Sequence, residues 1–184
     1  MAAKSGSSMM PHTLGRAGLL CLVVFAVALM CLIPSHVAAD HLSRTQTLKG
    51  LSGVRVVVET LRPQVEQAGL SRATIQSDVE FRLGQAGIGV LTESMRAPGN
   101  PLLYVILVLR KGPPGLYAYS VDVELDQLVS IVRDGSVSPA LGTTWRAYPV
   151  VGTVGASNLN TIREDLGELV DDFVKAYLSV NPKN

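Results

Sequence analysis

Three acidic residues at alternate positions are the strongest candidates for chemistry in the chain. Asp122, Glu124 and Asp126 are separated by apolar residues, so a strand would place the three carboxylates on one face. Neighbouring carboxylates would lie about 6.5–7 Å apart and could supply part of a calcium site. However, Ca²⁺ takes roughly six to eight oxygen ligands, and a flat strand offers too few. We therefore favour a solvated acidic face that discourages edge-to-edge pairing of sheets, and we predict no metal site.

A glycine-rich segment, 152–157, precedes the last predicted helix. Free amides at a helix N-terminus can bind an anion, which makes the segment a candidate phosphate site. It lacks the Gly-Lys-Ser/Thr of a P-loop and the third glycine of a dinucleotide fingerprint. We predict instead a flexible connection that ends in a helix cap supplied by Ser157, Asn158 or Asn160, and we predict no cofactor.

The familiar catalytic side chains are concentrated near the N-terminus. Cys21, Cys31, His12 and His36 all precede residue 40, which leaves His41 as the last histidine. Without a cysteine or an internal histidine, the rest of the chain cannot form a cysteine nucleophile, a Ser-His-Asp triad or a usual zinc site. We predict that the protein is not an enzyme and has no catalytic, cofactor-binding or metal-binding residues.

One route to catalysis needs only carboxylates. Glu59 and Glu93 are the formal candidates for a glycosidase-like pair. Such enzymes usually bind sugars in a large cleft with stacking aromatic residues, and aromatic residues make up only 5% of this chain. The composition therefore disfavours this activity.

The few aromatic residues allow two interpretations. Trp145, Tyr148, Tyr117, Tyr119 and Tyr104 could form an exposed docking patch, because tryptophan and tyrosine are enriched at interface hot spots. The alternative, which we favour, places Trp145, Tyr117 and Tyr119 in the core.

The N-terminal region has the layout of an export signal. Lys4 and Arg16 provide positive charge before the apolar run 17–33, and Pro34 ends that run. The small residues Val37-Ala38-Ala39 then form a cleavage motif. We predict a cleaved signal peptide at 1–39 and a single domain at 40–184.

The apolar run also permits an uncleaved N-terminal anchor. Its length falls between the ~7–15 residues of a signal h-region and the ~20 residues of a membrane-spanning helix. A lipoprotein signal is not expected, since Leu20 and Met30, rather than small residues, precede the two cysteines. In either case the domain faces outward, so we predict a periplasmic or secreted protein with no membrane span after cleavage.

The predicted domain has no strong charge bias. The whole chain has a formal net charge of +1, and its lysines and arginines do not cluster. Nucleic-acid binding requires a basic stripe, and binding to anionic membranes requires a basic cluster. We therefore expect no nucleic-acid partner and no electrostatic binding to membranes.

The spacing of apolar residues predicts five strands after a short polar lead-in, His41 to Gly50. Strands are indicated where β-branched and apolar residues alternate or form short runs. The most hydrophobic run of the domain, LLYVILVL, predicts a central strand shielded on both faces. The predicted strands lie at 54–58, 90–92, 102–109, 117–132 and 143–148. The stretch 117–132 can be one long bent strand or two shorter pieces.

Two helices are predicted from apolar residues at helical spacing. In the first, Ile75, Val79 and Leu83 follow a plausible N-cap, Ser71, and Gly87 ends the helix. The second is a strongly amphipathic helix near the C-terminus. Its apolar stripe consists of Leu159, Ile162, Leu166, Leu169, Val170, Phe173 and Tyr177.

These elements follow the order β-α-β-β-β-β-α. We predict an α+β two-layer sandwich, with a mixed, mostly antiparallel sheet of four to five strands and two helices on one face. This order resembles small α+β domains of bacterial envelope proteins, such as the N-terminal domain of the Tol system's propeller protein and the core of the curli-secretion lipoprotein. The C-terminal run 169–182, with Thr144 and Trp145 before it, is similar to the ending of uncharacterised exported bacterial proteins.

Two classes of function remain open. The lack of familiar catalytic side chains and the export signal favour a non-catalytic module that binds a protein or an envelope component, through a sheet edge or the face bearing the three acids. The alternative is a small-molecule carrier or hydrolase with a pocket between sheet and helices, lined by Glu59, Glu93 or Arg146.

Overall fold

The computed structural model describes residues 44–182. The predicted signal peptide, 1–39, and its cleavage motif lie outside the described residues. Within the described range the fold is α+β, as predicted, with five strands and three helices of at least five residues. These are β1 (Arg55–Val58), α1 (Pro63–Gln67), α2 (Arg72–Gln85), β2 (Leu102–Lys111), β3 (Leu116–Arg133), β4 (Ser136–Arg146), β5 (Val150–Gly155) and α3 (Asn160–Val180).

The strands form one mixed sheet in which β3 has the most partners. β1 runs parallel to β2, and all other pairs are antiparallel. One edge of β3 pairs with β2, while the other edge pairs with β4 over its C-terminal part and with β5 over its N-terminal part. The predicted mixed, mostly antiparallel sheet is therefore confirmed.

The core lies between one face of this sheet and the helices. Tyr119, Val121, Val123 and Leu125, the alternating apolar residues of β3, are buried. They form one cluster with the buried stripes of α2 and α3, and α2 packs against α3. The pattern read from the sequence thus correctly identifies the buried side of the longest strand.

Helix α2 begins and ends as its sequence predicts. The Ser71 hydroxyl accepts a hydrogen bond from the Thr74 amide at 3.1 Å. At the other end Gly87 adopts a φ of +73°. The Ile88 amide then donates to the Leu83 carbonyl at 2.9 Å, and Ile88 is buried. This is the αL-type helix end in which glycine avoids the steric cost of a side chain.

Three boundaries differ from the prediction. The segment 90–92 makes only one parallel bridge, Val54 to Val90, because the chain turns away from the sheet after Leu91. The predicted strand 143–148 begins earlier, at Ser136, and ends at Arg146. Pro63 does more than end the first strand: it occupies the first turn of the short helix α1, where its missing amide has no cost.

The predicted flexible connection at 152–157 is wrong for most of its length. Val150–Gly155 is strand β5, paired antiparallel with the start of β3. Gly152 lies opposite Tyr119, and a Cβ there would be 2.9 Å from the Tyr119 ring. Glycine at this position therefore allows a close approach rather than flexibility. The predicted caps are also wrong, since the N-cap of α3 is Leu159, which makes no side-chain capping bond.

The lead-in before β1 contributes to the core instead of being only polar. Leu48 is fully buried. The Asn181 side chain accepts from the Gly50 amide at 2.7 Å and donates to the Leu48 carbonyl at 2.9 Å. These two hydrogen bonds connect the lead-in to the end of α3.

In residues 44–182, no helix has the length and apolar character needed to cross a membrane.

The closest backbone crossing gives a direct test of the fold. A methyl group on Gly53 would overlap the backbone carbonyl of Gly89, whereas one on Gly84, within α2, would meet nothing within 4 Å. We expect Gly53→Ala to lower the free energy of unfolding by about 1–3 kcal/mol, because backbone cannot move aside like a side chain. The control Gly84→Ala should raise it by roughly 0.5–1 kcal/mol, because alanine favours the helix. Urea unfolding measures both, and equal effects would contradict the crossing.

Candidate functional site

The sheet face opposite the helices has side chains that no described helix covers. On β1 and β2 these are Val57, Tyr104, Ile106 and Val108, which are half-buried. They adjoin the polar side of β3, where Ile106 lies opposite Asp122 and Tyr104 opposite Glu124. We call this surface the uncovered face. It places an apolar row directly beside the acidic row.

The acidic row contains a preformed ion-pair cluster. Asp122 is only 7% exposed, and the Arg146 guanidinium donates to both of its carboxylate oxygens, from Nε at 3.0 Å and from Nη2. Arg146 Nε also lies 3.7 Å from Glu124 Oε2. Asp126 accepts a hydrogen bond from the Thr143 hydroxyl at 2.7 Å. Each of the three predicted acids therefore faces a partner on β4.

This pairing bears on the metal hypothesis. Arg146 occupies the space between Asp122 and Glu124, where a cation would have to sit. Among the described residues, no group of three potential ligands is placed to hold a metal. Burial raises the pKa of Glu124 above its usual range, and the nearby charge of Asp126 adds to that shift. The geometry is that of a structured charged patch.

Beyond Asp126 the strands β3 and β4 continue as a two-stranded ribbon. The pairing of β2 with β3 stops at Leu102 and Asp126. The backbone of residues 127–142, which we call the arm, then pairs only within the arm, apart from one bond from the Leu128 amide to the Gly99 carbonyl at 2.7 Å. At its base the Gln127 side chain donates to the Thr47 carbonyl and to the Thr144 hydroxyl. The tip of the arm is the two-residue turn Asp134-Gly135, in which both φ angles are positive, as in hairpin turns.

One side of the arm is strongly apolar and exposed. Leu128 pairs with Leu141, and Val132 with Val137. Their exposures are 56%, 54%, 69% and 65% respectively. By strand alternation these residues share a side with Asp122, Glu124 and Asp126, so the arm extends the uncovered face. Exposed apolar patches are typical of interaction surfaces. On this side of the arm, Ser130 and Pro139 lie between the two apolar pairs.

The aromatic residues divide between core and surface. Trp145 and Tyr119 are buried, and Trp145 packs edge-to-face on Phe173 with ring centroids 5.2 Å apart. Tyr117 is partly buried against the core. Tyr104 lies half-buried on the uncovered face, and Tyr148 is exposed. The favoured core placement is confirmed for Trp145 and Tyr119, and the five residues do not form one patch.

Tyr119 and Asp165 form a partly buried polar contact between β3 and α3. The Tyr119 hydroxyl donates to Asp165 Oδ2. This hydrogen bond, together with burial and the negative charge of Asp165, raises the pKa of Tyr119 to about 12. The contact anchors α3 over the sheet next to Gly152.

The residues proposed to line an interior pocket are dispersed. The space between sheet and helices contains a cavity of only about 10 Å³, lined mainly by leucine, isoleucine and valine. Glu93 lines a groove at the outer edge of β1, which Glu59 does not line. Arg146 belongs to the uncovered face. The structure therefore does not bring Glu59, Glu93 and Arg146 together.

The arm and the Arg146 pairing were not identified from the sequence. The sequence does predict a turn at Asp134-Gly135, which stands between apolar residues, including Val132 and Val137, but the next strand was expected only at 143. Such a dipeptide predicts a hairpin whose second strand starts at once. The Arg146–Asp122 contact carried no comparable signal, since it depends on the register of β4 across the irregularity beside Leu125.

Comparison with known proteins gives little further information. No protein-family model matches the chain, and no curated protein matches it. Among solved structures, the chain is similar to a minor lipoprotein from Acinetobacter baumannii determined at 2.35 Å, with a TM-score of 0.30 and 10% sequence identity. The similarity covers 71% of this chain and 93% of the lipoprotein. A similarity this weak establishes neither family nor function.

The contact between Tyr119 and Asp165 predicts a pH dependence. A folded-state pKa of about 12 exceeds the ordinary value of 10.0, so the contribution to stability is complete below about pH 10 and is lost as the pH rises towards 12. We expect Asp165→Asn to bring the pKa of Tyr119 down towards 10.0. Titration followed by NMR of ¹³C-labelled tyrosine measures it.

The matched control is Asp172→Asn, on the exposed side of the same helix, where Asp172 pairs with Lys175. This variant should leave the titration of Tyr119 unchanged. If Asp165→Asn also leaves it unchanged, the hydrogen bond does not form in solution.

Proposed function

We propose that this protein is an exported, non-catalytic module that binds another protein through the uncovered face and the arm. The predicted signal at 1–39 supports export to the periplasm or the exterior. The observation that carries the binding proposal is the exposed apolar side of the arm, formed by Leu128, Val132, Val137 and Leu141.

The energetics of the arm support this proposal. A two-stranded hairpin is marginally stable in water without a third strand or a packing layer. Among the described residues, nothing supplies either along most of the arm, and the four side chains that form its apolar side remain more than half exposed after pairing. A partner that covers this side would supply both packing and order.

The polar part of the uncovered face supports specificity. The Arg146 guanidinium is held by Asp122 in a fixed orientation, and Glu124 is partly desolvated before any partner arrives. Preorganised charges of this kind add little affinity when exposed, but they select partners by rejecting like charges. The apolar row on β2 and the arm flank them and can exclude water.

The alternative function, a carrier or hydrolase with a pocket between sheet and helices, has less support. A small-molecule site usually has a volume of about 300–1,000 Å³. The cavity in that layer is about 10 Å³. No observation favours this alternative over protein binding.

Site-specific photo-crosslinking in living cells tests the proposal. A benzophenone side chain is introduced at Val132 or Val137 of the full-length chain, and at Phe81 as the control. Phe81 is 65% exposed, but it lies on α2, in the other layer. We expect discrete adducts of the same mass from positions 132 and 137 and none from 81, because the partner contacts the arm and does not contact this side of α2.

A second variant links the adduct to the apolar surface. Replacing Leu128 and Leu141 by serine should remove the adduct formed at position 132, while the protein still accumulates. Adducts of equal yield from all three positions, or none from the arm, would contradict binding through the arm.

A further inference from the structure

A groove of about 550 Å³ follows the outer edge of β1, on the far side of the sheet from the arm. We call it the edge groove. One wall is the edge of β1 itself, from Arg55 to Val57. The polar side of α2, including Arg72, forms a second wall, and the segment from Val90 to Glu93 forms a third.

The backbone of β1 has unused hydrogen-bonding groups along this groove. On its inner side the Arg55 amide donates to the Pro101 carbonyl at 3.0 Å. On its outer side Val54 bonds to Gly89 and Leu91, both at 2.9 Å, before that segment turns away. By alternation the amide and carbonyl of Val56 also point outward, and no described residue bonds to them.

These unused groups indicate what kind of ligand fits. Val56 lines the groove, and no described residue pairs with its outward amide and carbonyl, so these groups are available to a ligand. Val56 and Val58 should present alternating donors and acceptors at strand spacing, which only another extended backbone matches along its length. This edge contains no proline, lysine or bulge, three of the features that protect sheet edges against strand addition.

Two arginines give the groove a preference for a ligand with negative charge. Arg55 Nε is buried and has no hydrogen-bond partner. Among residues 44–182, neither Arg55 nor Arg72 forms an ion pair or a side-chain hydrogen bond. Of the two acids that line the groove, Glu80 accepts from Gln76 at 2.7 Å, and Glu93 is exposed. The unpaired guanidiniums are therefore available to a carboxylate, which they bind in charge-assisted hydrogen bonds.

We propose that the edge groove binds an extended segment of a partner polypeptide, which adds to β1 as a further strand and presents acidic groups to Arg55 and to Arg72, the two arginines that line the groove. The inference rests on the proposed function, protein binding, and specifies the form and charge of the segment that the partner presents. The unpaired edge determines the extended form, and the unpaired arginines determine the charge.

Peptide selection tests this proposal without knowledge of the partner. Random linear peptides are selected on the purified full-length protein, and the best binder is synthesised and titrated by calorimetry. We expect peptides with alternating β-branched residues and at least one acidic group. N-methylation of alternate amides on one edge of the peptide should abolish binding, while methylation of the other edge should not, because a strand pairs along one edge.

Variants of the protein locate the bound peptide. Arg72→Gln, at an exposed position on α2, should weaken binding about tenfold, the effect expected for loss of a charge-assisted hydrogen bond. Arg55→Met should weaken it by a similar factor. The control Arg110→Met, at an exposed position on β2 outside the groove, should leave the affinity unchanged. Amidation of the peptide's C-terminus, or of its acidic side chain, shows which carboxylate is bound.

The outcomes separate this proposal from the arm. Failure to select any peptide, or equal binding by Arg72→Gln and the unaltered protein, would overturn the edge groove as a strand-binding site. Either result, together with intact crosslinking at positions 132 and 137, leaves binding through the arm in place. Peptides whose binding is lost only in the serine variants of Leu128 and Leu141 would also overturn the edge groove.

Discussion

The alternation of side chains along β3 is the constraint on which the rest of the structure depends. In β3, an eighteen-residue strand, every second residue from Tyr119 to Leu125 is committed to the core. The intervening residues must then point away from the helices, because a strand cannot rotate one side chain without its neighbours. This choice of which alternate residues of β3 face the core also fixes the side of the acidic row, its pairing with Arg146 and the side on which the apolar residues of the arm lie.

The length of β3 has a separate consequence. The pairing of β2 with β3 ends at Asp126 of β3. The last part of β3 therefore pairs only with β4. At the base of the arm the β3–β4 register shifts, and Thr144 accepts from the Gln127 side chain at 2.7 Å. Irregularities of this kind increase local twist and redirect a strand. The molecule therefore has a packed body with two unsatisfied features at opposite sides, an apolar ribbon and an unpaired edge. Both are suited to contact with another polypeptide.

Much of this fold could be predicted from periodicity alone, because burial acts on whole faces. The strands around Val56, Val105 and Val123 and the helices around Val79 and Phe173 lie where their apolar spacing placed them. Strand β5 was missed because its glycines resemble a loop, whereas Gly152 is required by the ring of Tyr119. The acids were identified from sequence, but their partner was not, because the contact depends on register between strands. The exposure of the arm could not be predicted either, since an alternating pattern does not show whether another element packs against the apolar side.

The central claim is that residues 44–182 cover the sheet on one face only, and thiol labelling tests it most directly. In a full-length chain with Cys21→Ala and Cys31→Ala, single cysteines are placed at Val108 and Val132 on the uncovered side and at Val123 on the helix side. We predict rapid labelling of the isolated protein at 108 and 132 and strong protection at 123. Protection at 108 and 132 equal to that at 123 would show that the face is already covered, and would contradict the account.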